Sequence, residues 1–489
     1  MPRPHDPDLV RAALDDSPTQ AFLAGQWVDT GRELDVEDPA TGTTLVSVAD
    51  ATPAHFVEAL DAAAHHQRGF AAVPARERAE ILRRTYELMT AEADRLALLM
   101  TLEMGKPLAE SRGEVAYAAE FFRWFSEEAC RIPGDYRPSP AGGGRILVAR
   151  KPVGPCLLIT PWNFPSAMGA RKIAPAIAAG CTTILKPAGS TPLSSLALAE
   201  ILQRAGLPEG ALSVLPTSQS GDSTEAVIYD PRLRKLSFTG STGVGRTLLR
   251  QAAEGVLKVS MELGGNAPFL VFEDADLDAA VEGAMAAKMR NGGEACTSAN
   301  RLFVHQSVAD EFTSRLAERM AALRLGHGTV PDVDLGPMID ETARDRILAR
   351  VTEARDAGAE VVTGGTAPDH DGWFVEPTVV VGAAPDSKLS TEEIFGPVAN
   401  VSTFADEDEA VAQANDTIFG LISYAFTTDL ARALRLGDRL EAGMVGINRG
   451  VISDPAAPFG GVKASGLGRE GGRNGIDEYL ETTYLGLPG

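Results

Sequence analysis

Apolar residues recur at helical spacing through the first third of the chain. This pattern predicts helices over residues 53–70, 75–104 and 108–130. A stretch rich in Gly and Pro follows at 133–144, and the chain then becomes strand-like over 145–151. We therefore expect a helical N-terminal region that ends before an isolated strand.

Short apolar runs and amphipathic segments then alternate regularly. The apolar runs predict buried strands over 156–160, 182–186, 211–215, 235–238 and 258–263. The amphipathic segments predict helices over 168–179 and 192–205. A second unit of the same kind is predicted from strand 267–272, helix 277–289 and strand 299–305. Alternation of this kind is typical of right-handed crossovers and parallel sheets, which bind ligands at the carboxyl ends of their strands.

The composition narrows the class of protein. A chain of 489 residues exceeds what one core usually organises, so two or more domains are expected. The net charge of −22 repels polyphosphate backbones, which argues against nucleic acid or an anionic membrane surface as a partner. No apolar run approaches the length of a membrane span, and residues 1–16 lack the apolar core of a signal peptide. We expect a cytoplasmic protein.

The cysteines and histidines do not form a metal-binding pattern. Four cysteines are scattered without CxxC spacing, which suits neither a disulfide framework nor a zinc site and fits a reducing compartment: Cys130, Cys156, Cys181 and Cys296. His65 and His66 lie in a helical stretch without the spacing of metal ligands, so a surface helix is favoured and no metal is expected.

Two motifs follow predicted strands in the first α/β unit. TPWNF, residues 160–164, comes directly after the first strand, and the Asn163 amide could stabilise an oxyanion there, although a plain turn is the alternative. LKPAGSTP, residues 185–192, places Lys186 at the end of the next strand. A cation there could hold ribose hydroxyls or a 2′-phosphate; a solvated lysine is the alternative.

A third motif, FTGSTGVG, spans residues 238–245 between a strand and a helix. Its glycines would let the backbone approach a pyrophosphate, which the following helix N-terminus attracts. The motif is not a strict GxGxxG, so it does not by itself establish a dinucleotide site.

The remaining chemistry lies in the paired segments MELGGN, residues 261–266, and NGGEACTSANR, residues 291–301. A Gly-rich turn would let a substrate reach Cys296, whose thiolate would be an effective nucleophile toward an aldehyde carbon. Glu262 at a strand end could be the general base for a water. A buried structural role is the alternative for Cys296, and it is kept for the other three cysteines.

These motifs, taken in order with EEIFGP (392–397) and PFGGVKASGLGRE (458–470), resemble the aldehyde dehydrogenase superfamily over essentially the whole chain. Within it, GARKIAP, KLSFTGST, SMELGGNAPF and the Arg290-Asn291 step most resemble succinate-semialdehyde dehydrogenases. The resemblance implies an α/β fold of three parts. These are a parallel-sheet dinucleotide-binding domain (1–132 and 152–265), an α/β catalytic domain (266–450) and a small β oligomerisation element (133–151 and 468–489).

The resemblance also implies roles for matching positions. Cys296 would be the nucleophile and Glu262 the general base, with Asn163 and the Cys296 backbone N–H forming an oxyanion hole. Lys186 would hold the adenosine ribose, Gly240 and Ser241 the pyrophosphate, and Glu393 the nicotinamide ribose; the other cofactor-binding positions would be Thr160, Trp162, Gly189, Leu263 and Phe395. Arg171, Arg290 and Ser453 match the positions that hold the far carboxylate of the substrate.

The position of Arg290 supports the substrate assignment on physical grounds. It lies six residues before Cys296, close enough for a helix end and a loop to bring both into one cavity. A guanidinium pairs bidentately with a carboxylate, so a cation here suits a carboxylate-bearing aldehyde. A structural ion pair is the alternative for Arg290 and for Arg171.

Three positions depart from the usual pattern. Glu294 replaces the usual Gln two residues before the nucleophile, and we expect it to face solvent or to be paired, because a buried ionised carboxylate would oppose thiolate formation. Ser298 replaces a second Cys, so no disulfide can form within this loop. Gly189 replaces the Glu of NAD-preferring relatives, which predicts that NADP is accepted alongside NAD.

The predicted reaction is NAD(P)-dependent oxidation of succinate semialdehyde to succinate through a thioester. Three alternatives stay open: another aldehyde, such as glutarate semialdehyde or an aliphatic aldehyde; a CoA-acylating semialdehyde dehydrogenase; and an inactive binding protein on the same scaffold. The expected partners are a small-molecule aldehyde and further copies of the chain, as a dimer or tetramer.

Overall fold

The computed structural model describes residues 7–369 and 371–489. Residues 1–6, which the sequence analysis assigns to the dinucleotide-binding domain, lie outside the described part. The two large sheets and their covering helices confirm the predicted α/β class. The domain boundaries stay a prediction.

Helices dominate the first 130 residues, with two β-hairpins near the start. The elements are α1 (Pro7–Asp15), β1 (Ala21–Leu23), β2 (Gln26–Val28), β3 (Glu33–Asp38), β4 (Thr43–Ala49), α2 (Pro53–Ala72), α3 (Ala75–Ala91), α4 (Ala93–Met104) and α5 (Leu108–Glu128). The single helix predicted over 75–104 is wrong. The chain leaves helical geometry at Glu92, with φ −107° and ψ 20°, although the apolar spacing continues across the break.

A small antiparallel sheet interrupts the α/β pattern. Its strands are β5 (Asp135–Pro138), β6 (Gly144–Pro152) and, from the C-terminus, β20 (Leu480–Pro488), in the order β20–β6–β5. β20 pairs with β6 along all nine residues, which confirms the strand-like character of the tail. The prediction missed β5, because its segment was read as an irregular Gly/Pro-rich connection.

The first large sheet carries the predicted parallel strands. The elements are β7 (Cys156–Ile159), α6 (Pro165–Ala179), β8 (Thr183–Lys186), α7 (Leu193–Arg204), β9 (Leu212–Val214), α8 (Ser220–Ile228), β10 (Lys235–Thr239), α9 (Thr242–Glu254) and β11 (Lys258–Glu262). The strand order is β19–β11–β10–β7–β8–β9–β1–β2. β7 to β11 are parallel, so their carboxyl ends share one edge of the sheet.

The second large sheet has seven strands in the order β14–β15–β16–β13–β12–β17–β18. The remaining elements are β12 (Ala267–Val271), α10 (Leu277–Met289), β13 (Ala299–His305), α11 (Ala309–Ala321), α12 (Glu341–Asp356), β14 (Glu360–Thr363), β15 (Thr378–Val381), α13 (Lys388–Thr391), β16 (Val398–Phe404), α14 (Glu407–Asn415), β17 (Ile422–Phe426), α15 (Leu430–Arg439), β18 (Met444–Ile447), β19 (Gly466–Leu467) and α16 (Asn474–Asp477). β19 returns to pair with β11, which ties the two sheets together.

Helix α6 is the central helix of the first sheet, and every residue in it is buried. It begins directly after the TPWNF motif and carries two adjacent cations, Arg171 and Lys172, into the interior. Buried charges need counter-charges, and both cations pair with the carboxylate of Glu470 near the C-terminus. The tail therefore helps to fix the helix that leads away from the site.

No helix in the two described ranges combines the length and the apolar character needed to cross a bilayer.

Candidate active site

The candidate active site lies where strand ends of the first sheet meet a loop of the second. Because β10 lies between β7 and β11, the motifs that follow these strands are neighbours in space. A cavity of about 470 Å³ opens there. Its walls bring together most of the predicted site residues: Trp162, Asn163, Arg171, Gly240, Ser241, Glu262, Leu263, Arg290, Cys296, Glu393, Phe395 and Ser453.

Cys296 is the nucleophile candidate in this cavity, and its side chain is partly exposed there. Burial raises the pKa of the thiol to about 12; nearby Glu393 and Glu262 add to the rise, whereas Arg171 and Arg290 lower the pKa. The thiol is therefore protonated at neutral pH. A nearby base must take its proton as the nucleophile attacks.

Glu262 is the base candidate at the end of β11. Burial raises the pKa of its carboxyl well above the usual range, and the negative charge of Glu470 raises it further. Its Oε2 atom has no hydrogen-bond partner in the described part of the chain. A raised pKa makes the Glu262 carboxylate a stronger base than an ordinary one, and its free oxygen in the cavity can accept a proton.

Asn163 presents a donor to the same cavity. Its amide nitrogen donates one hydrogen bond, 2.8 Å long, to the backbone oxygen of Glu294, and an amide carries two N–H groups. The second N–H has no acceptor among the described residues, and neither has the backbone N–H of Cys296. These two unpaired donors are the groups that an oxyanion hole requires.

The loop before Cys296 holds an unusual backbone conformation. Asn291, Gly292 and Gly293 have φ angles of 55°, 61° and 78°, in the left-handed region. A Cβ on Gly293 would lie 2.2 Å from the backbone oxygen of Gly396, so only glycine fits there. Glu110 anchors the turn by accepting the Asn291 N–H with both carboxylate oxygens, at 2.9 and 3.0 Å.

Residues that the sequence analysis missed hold Asn163 from behind. Lys106 donates 2.8 Å to the backbone oxygen of Asn163 and 2.6 Å to Glu114, and both side chains are buried. Glu114 also accepts the backbone N–H groups of Ser166 and Ala167, at 2.9 and 3.0 Å, at the start of α6. The sequence signal was a set of charges placed among the apolar positions of α5 and just before it.

Glu294 does not face solvent, so that alternative is wrong. Its side chain is buried, and the carboxyl accepts a 3.2 Å hydrogen bond from the Ile339 N–H. Burial raises the pKa of Glu294 well above its usual range, which disfavours the ionised form of the carboxyl. The same burial that brings this side chain near the nucleophile loop therefore weakens its opposition to a thiolate at Cys296.

The two arginines that were predicted to bind the substrate have different surroundings. The Nε of Arg171 pairs with Glu470, and its guanidinium lies 4.2 Å from the centre of the Phe459 ring. Arg290 has no ion-pair partner within the ranges described and lies 5.0 Å from the ring centre of Phe164. Arg171 therefore forms a structural ion pair, which was the alternative stated for it. The guanidinium of Arg290 remains available to bind an anionic ligand.

The cofactor candidates divide into two groups. Trp162 and Phe395 form one wall of the cavity, with ring centres 5.4 Å apart. Ser241 caps α9, whose first N–H groups lie beside Gly240. Glu393 accepts the Gly265 N–H at 2.9 Å, and burial raises the pKa of its carboxyl to about 7.

The second group lies beyond the cavity walls: Thr160, Lys186 and Gly189. Thr160 and Lys186 are adjacent at the ends of β7 and β8, joined by a 3.1 Å backbone hydrogen bond. Burial lowers the pKa of the Lys186 ammonium to about 8. A Cβ on Gly189 would have ordinary contacts only, at 3.6 Å and beyond, so the backbone here accepts a side-chain carbon without a clash.

Residues 27–485 match the model of the aldehyde dehydrogenase family. The chain belongs to this family. The match includes every strand of the two large sheets except β1 and the first residue of β2, and it includes every motif that lines the cavity. The resemblance inferred from the sequence is confirmed.

Members of the family with high identity match nearly the whole chain. A succinate-semialdehyde dehydrogenase of Paenarthrobacter nicotinovorans is 57% identical over 91% of this chain and 98% of its own. A glutarate-semialdehyde dehydrogenase of Pseudomonas aeruginosa is 50% identical over 96% and 98%. The crystal structure of an NADP-dependent enzyme from E. coli superposes with a TM-score of 0.95 at 48% identity, covering 99% of this chain and all of the other.

Two of the other three cysteines are buried as predicted: Cys156 lies in β7 and Cys181 follows α6. The buried role predicted for Cys130 is wrong, because this residue follows α5 and is exposed. Across residues 7–369 and 371–489, no group of three or more His, Cys, Asp or Glu side chains is placed to hold a metal ion.

We expect Gly265→Ala to lower turnover of an aldehyde by about tenfold or more, because small displacements of reacting groups cost that much. The added methyl would lie 2.1 Å from the carbonyl oxygen of Cys296 and would push the nucleophile out of place. Steady-state kinetics of the purified variant measure the effect. Gly69→Ala, whose methyl meets no atom within 4 Å, is the matched control. Wild-type turnover in Gly265→Ala would contradict the prediction.

Proposed function

We propose that this chain oxidises succinate semialdehyde to succinate with NADP or NAD. One observation carries the substrate assignment: Arg290 lies in the same cavity wall as Cys296 and has no described ion-pair partner. A guanidinium in such a site recognises an anion, and the carboxylate of a short semialdehyde can reach it while the aldehyde lies at the thiol. Ser453, in the same wall, adds a hydroxyl donor.

The groups around the cavity fit a nicotinamide dinucleotide. Lys186 is a buried cation with no described ion pair, and the N-terminus of α9 offers free N–H groups beside Gly240 and Ser241. In this proposal Lys186 holds the adenosine ribose or 2′-phosphate, Gly240 and Ser241 lie at the pyrophosphate, and Glu393 binds the nicotinamide ribose. Thr160, Trp162, Gly189, Leu263 and Phe395 line the rest of the cleft. When bound, the cofactor supplies the hydride acceptor for the oxidation.

The residues of the chain supply the acid–base and electrostatic parts of the reaction. The Cys296 thiol gives its proton to Glu262 through the shared cavity, and the thiolate sulfur bonds to the aldehyde carbon. The carbonyl oxygen gains the negative charge, and the Asn163 amide and the Cys296 N–H donate to it. Arg290 holds the far carboxylate, so the aldehyde carbon stays at the sulfur.

Hydrolysis of the thioester uses the same groups. Glu262 first releases to solvent the proton that it took from Cys296. The ionised carboxylate then takes a proton from water as the water oxygen bonds to the acyl carbon, and the oxyanion donors stabilise the second tetrahedral adduct. The bond from carbon to sulfur then breaks and releases the acid and the Cys296 thiolate. Because Glu262 lies in the cavity wall, we favour water over CoA as the acceptor. A strict need for CoA in turnover would reverse this preference.

Arg290→Ala is the main test of the substrate. We expect wild type to prefer succinate semialdehyde strongly over butyraldehyde, which lacks the far carboxylate. The variant should lose that preference, with kcat/KM for the semialdehyde falling by about 1.5–3 kcal/mol, which is roughly tenfold to 150-fold. Reduction of NADP followed at steady state measures both.

Butyraldehyde kinetics of the variant serve as the internal control, because they should change little. If both aldehydes react alike in wild type, the substrate assignment is lost while the family assignment stands. If neither aldehyde is oxidised with NAD or NADP, an inactive binding protein becomes the better interpretation.

Glutarate semialdehyde is a second candidate substrate, since a relative of that name is 50% identical over nearly the whole chain. It has the same two functional groups with one more methylene between them. A methylene in such a site changes kcat/KM by about 1–3 kcal/mol. The ratio of kcat/KM for the two semialdehydes therefore decides between them.

The cofactor preference is tested at Gly189 and Lys186. Gly189→Glu should shift the preference from NADP toward NAD by about tenfold or more, because a carboxylate repels the 2′-phosphate and accepts from ribose hydroxyls. Ratios of kcat/KM for the two cofactors measure the shift. A wild-type ratio that favours NAD at least about a hundredfold would contradict the proposed acceptance of NADP.

The charge on Lys186 supplies an independent check. The ammonium with its pKa of about 8 is charged at neutral pH and neutral well above pH 8. NADP affinity should therefore fall relative to NAD affinity as the pH rises through about 8. Lys186→Met, which lacks the charge at every pH, should show no such fall.

We propose that the chain is a cytoplasmic homo-oligomer. The β20–β6–β5 sheet supports the assembly part of this proposal. Its residues Tyr136, Tyr484, Leu485 and Leu487 are exposed, and an apolar surface of this kind is typical of a protein interface. The replacement of Leu485 and Leu487 by Asp should turn a dimer or tetramer into smaller species in sedimentation velocity. Val362→Asp, equally exposed in β14, is the control. An unchanged sedimentation coefficient would contradict this interface.

A further inference from the structure

Lys106 is a buried cation that does not line the cavity itself, yet it contacts two residues that do. Its ammonium lies 2.8 Å from the Asn163 backbone oxygen and 4.4 Å from the centre of the Phe164 ring. The side chain is 2% exposed and its partner Glu114 is 1% exposed. Both are absent from the walls of the cavity.

Two carboxylates one helical turn apart on α5 extend this contact in two directions. Glu114 binds Lys106 and two N–H groups at the start of α6, so it fixes the segment that follows Asn163. Glu110 binds the Asn291 N–H, so it fixes the loop that leads to Cys296. Residues i and i+4 face the same side of a helix, and one helix therefore holds both segments.

The two segments also bind each other at Asn163. The Asn291 amide donates 3.0 Å bonds to the backbone oxygens of Asn163 and Glu294, and the Asn163 amide donates to that same Glu294 oxygen. The Asn163 backbone oxygen thus has two donors, Lys106 and Asn291. The position of the Asn163 amide relative to the Cys296 N–H depends on these bonds.

We propose that Lys106 is a positioning residue for the oxyanion hole, acting through the backbone of Asn163. This inference rests on the proposed aldehyde oxidation. Its ammonium satisfies the Asn163 oxygen and draws the Asn163 segment toward α5, so that the free amide N–H points to the place where the substrate oxygen gains charge. Loss of this bond moves the donor while the nucleophile, the base and the cofactor cleft stay in place.

Lys106→Met alone would leave the Glu114 carboxylate buried without its cation, which threatens folding. The informative variant is therefore Lys106→Met with Glu114→Gln, because the glutamine oxygen still accepts the two N–H groups of α6. Lys235→Met is the matched control. It also removes a buried ammonium, which lies at the first residue of β10, away from the strand ends that form the cavity, and donates to Ser260 of β11.

The double variant should keep a thermal midpoint near that of Glu114→Gln and a KM for NADP within about twofold of wild type. Its kcat for succinate semialdehyde should fall by about tenfold or more, since complete removal of one oxyanion donor costs about 10²–10³. Alkylation of Cys296 by iodoacetamide, followed by peptide mass spectrometry, should proceed at the wild-type rate. This substitution at carbon forms no oxyanion, so it reports on the nucleophile alone.

A double-mutant cycle with Asn163→Ala locates the effect. If Lys106 acts through Asn163, its replacement should cost little further activity once the amide is gone. Additive losses, a parallel fall in the alkylation rate, or wild-type kcat in the double variant would each overturn the inference. A wild-type protein that oxidises no aldehyde yet reacts normally with iodoacetamide would instead overturn the proposed function.

Discussion

The hydrogen bond from the Asn163 amide to the Glu294 backbone oxygen is the contact on which the site depends. Asn163 follows a strand of the first sheet, whereas Glu294 belongs to a loop of the second, so this 2.8 Å bond joins the two halves at the reacting atoms. It fixes one N–H of the amide and thereby orients the other. An oxyanion hole built from two separate sheets needs such a link, because each sheet alone positions only one donor.

Burial controls the charges around this link. The carboxyls of Glu262, Glu294 and Glu393 all have raised pKa values, chiefly because they lose hydration. Burial disfavours the ionised form of all three carboxyls, so it weakens the negative field that would oppose a thiolate at Cys296. Arg171 and Arg290 act in the same direction, because they lower the pKa of the thiol.

The sequence was informative where local pattern determines structure. The strand predicted over 267–272 agrees with β12 except at its last residue, because this buried parallel strand is a continuous apolar run. The break at Glu92 escaped prediction because apolar spacing continues through it. Catalytic candidates were found through motifs next to strand ends, which is where parallel sheets place ligands.

The residues that support the site could not be found in this way. Lys106, Glu110 and Glu114 would ordinarily be interpreted as the solvated face of a helix, since their burial results from segments distant in sequence. Glu294 was expected to avoid burial because its charge was assumed to persist. In the structure the carboxyl is buried, and burial raises its pKa well above the usual range, which disfavours the charge that the expectation assumed.

The contrast between the two arginines follows from the same constraint. Two unpaired guanidinium groups in one cavity would be costly to bury, and Glu470 gives Arg171 a counter-charge that it shares with Lys172. That carboxylate also raises the pKa of Glu262, so the ion cluster that holds α6 in place also adjusts the base. Arg290 is left as the cation that can bind a ligand. A substrate with one carboxylate matches one open guanidinium, which is the charge balance that a semialdehyde provides.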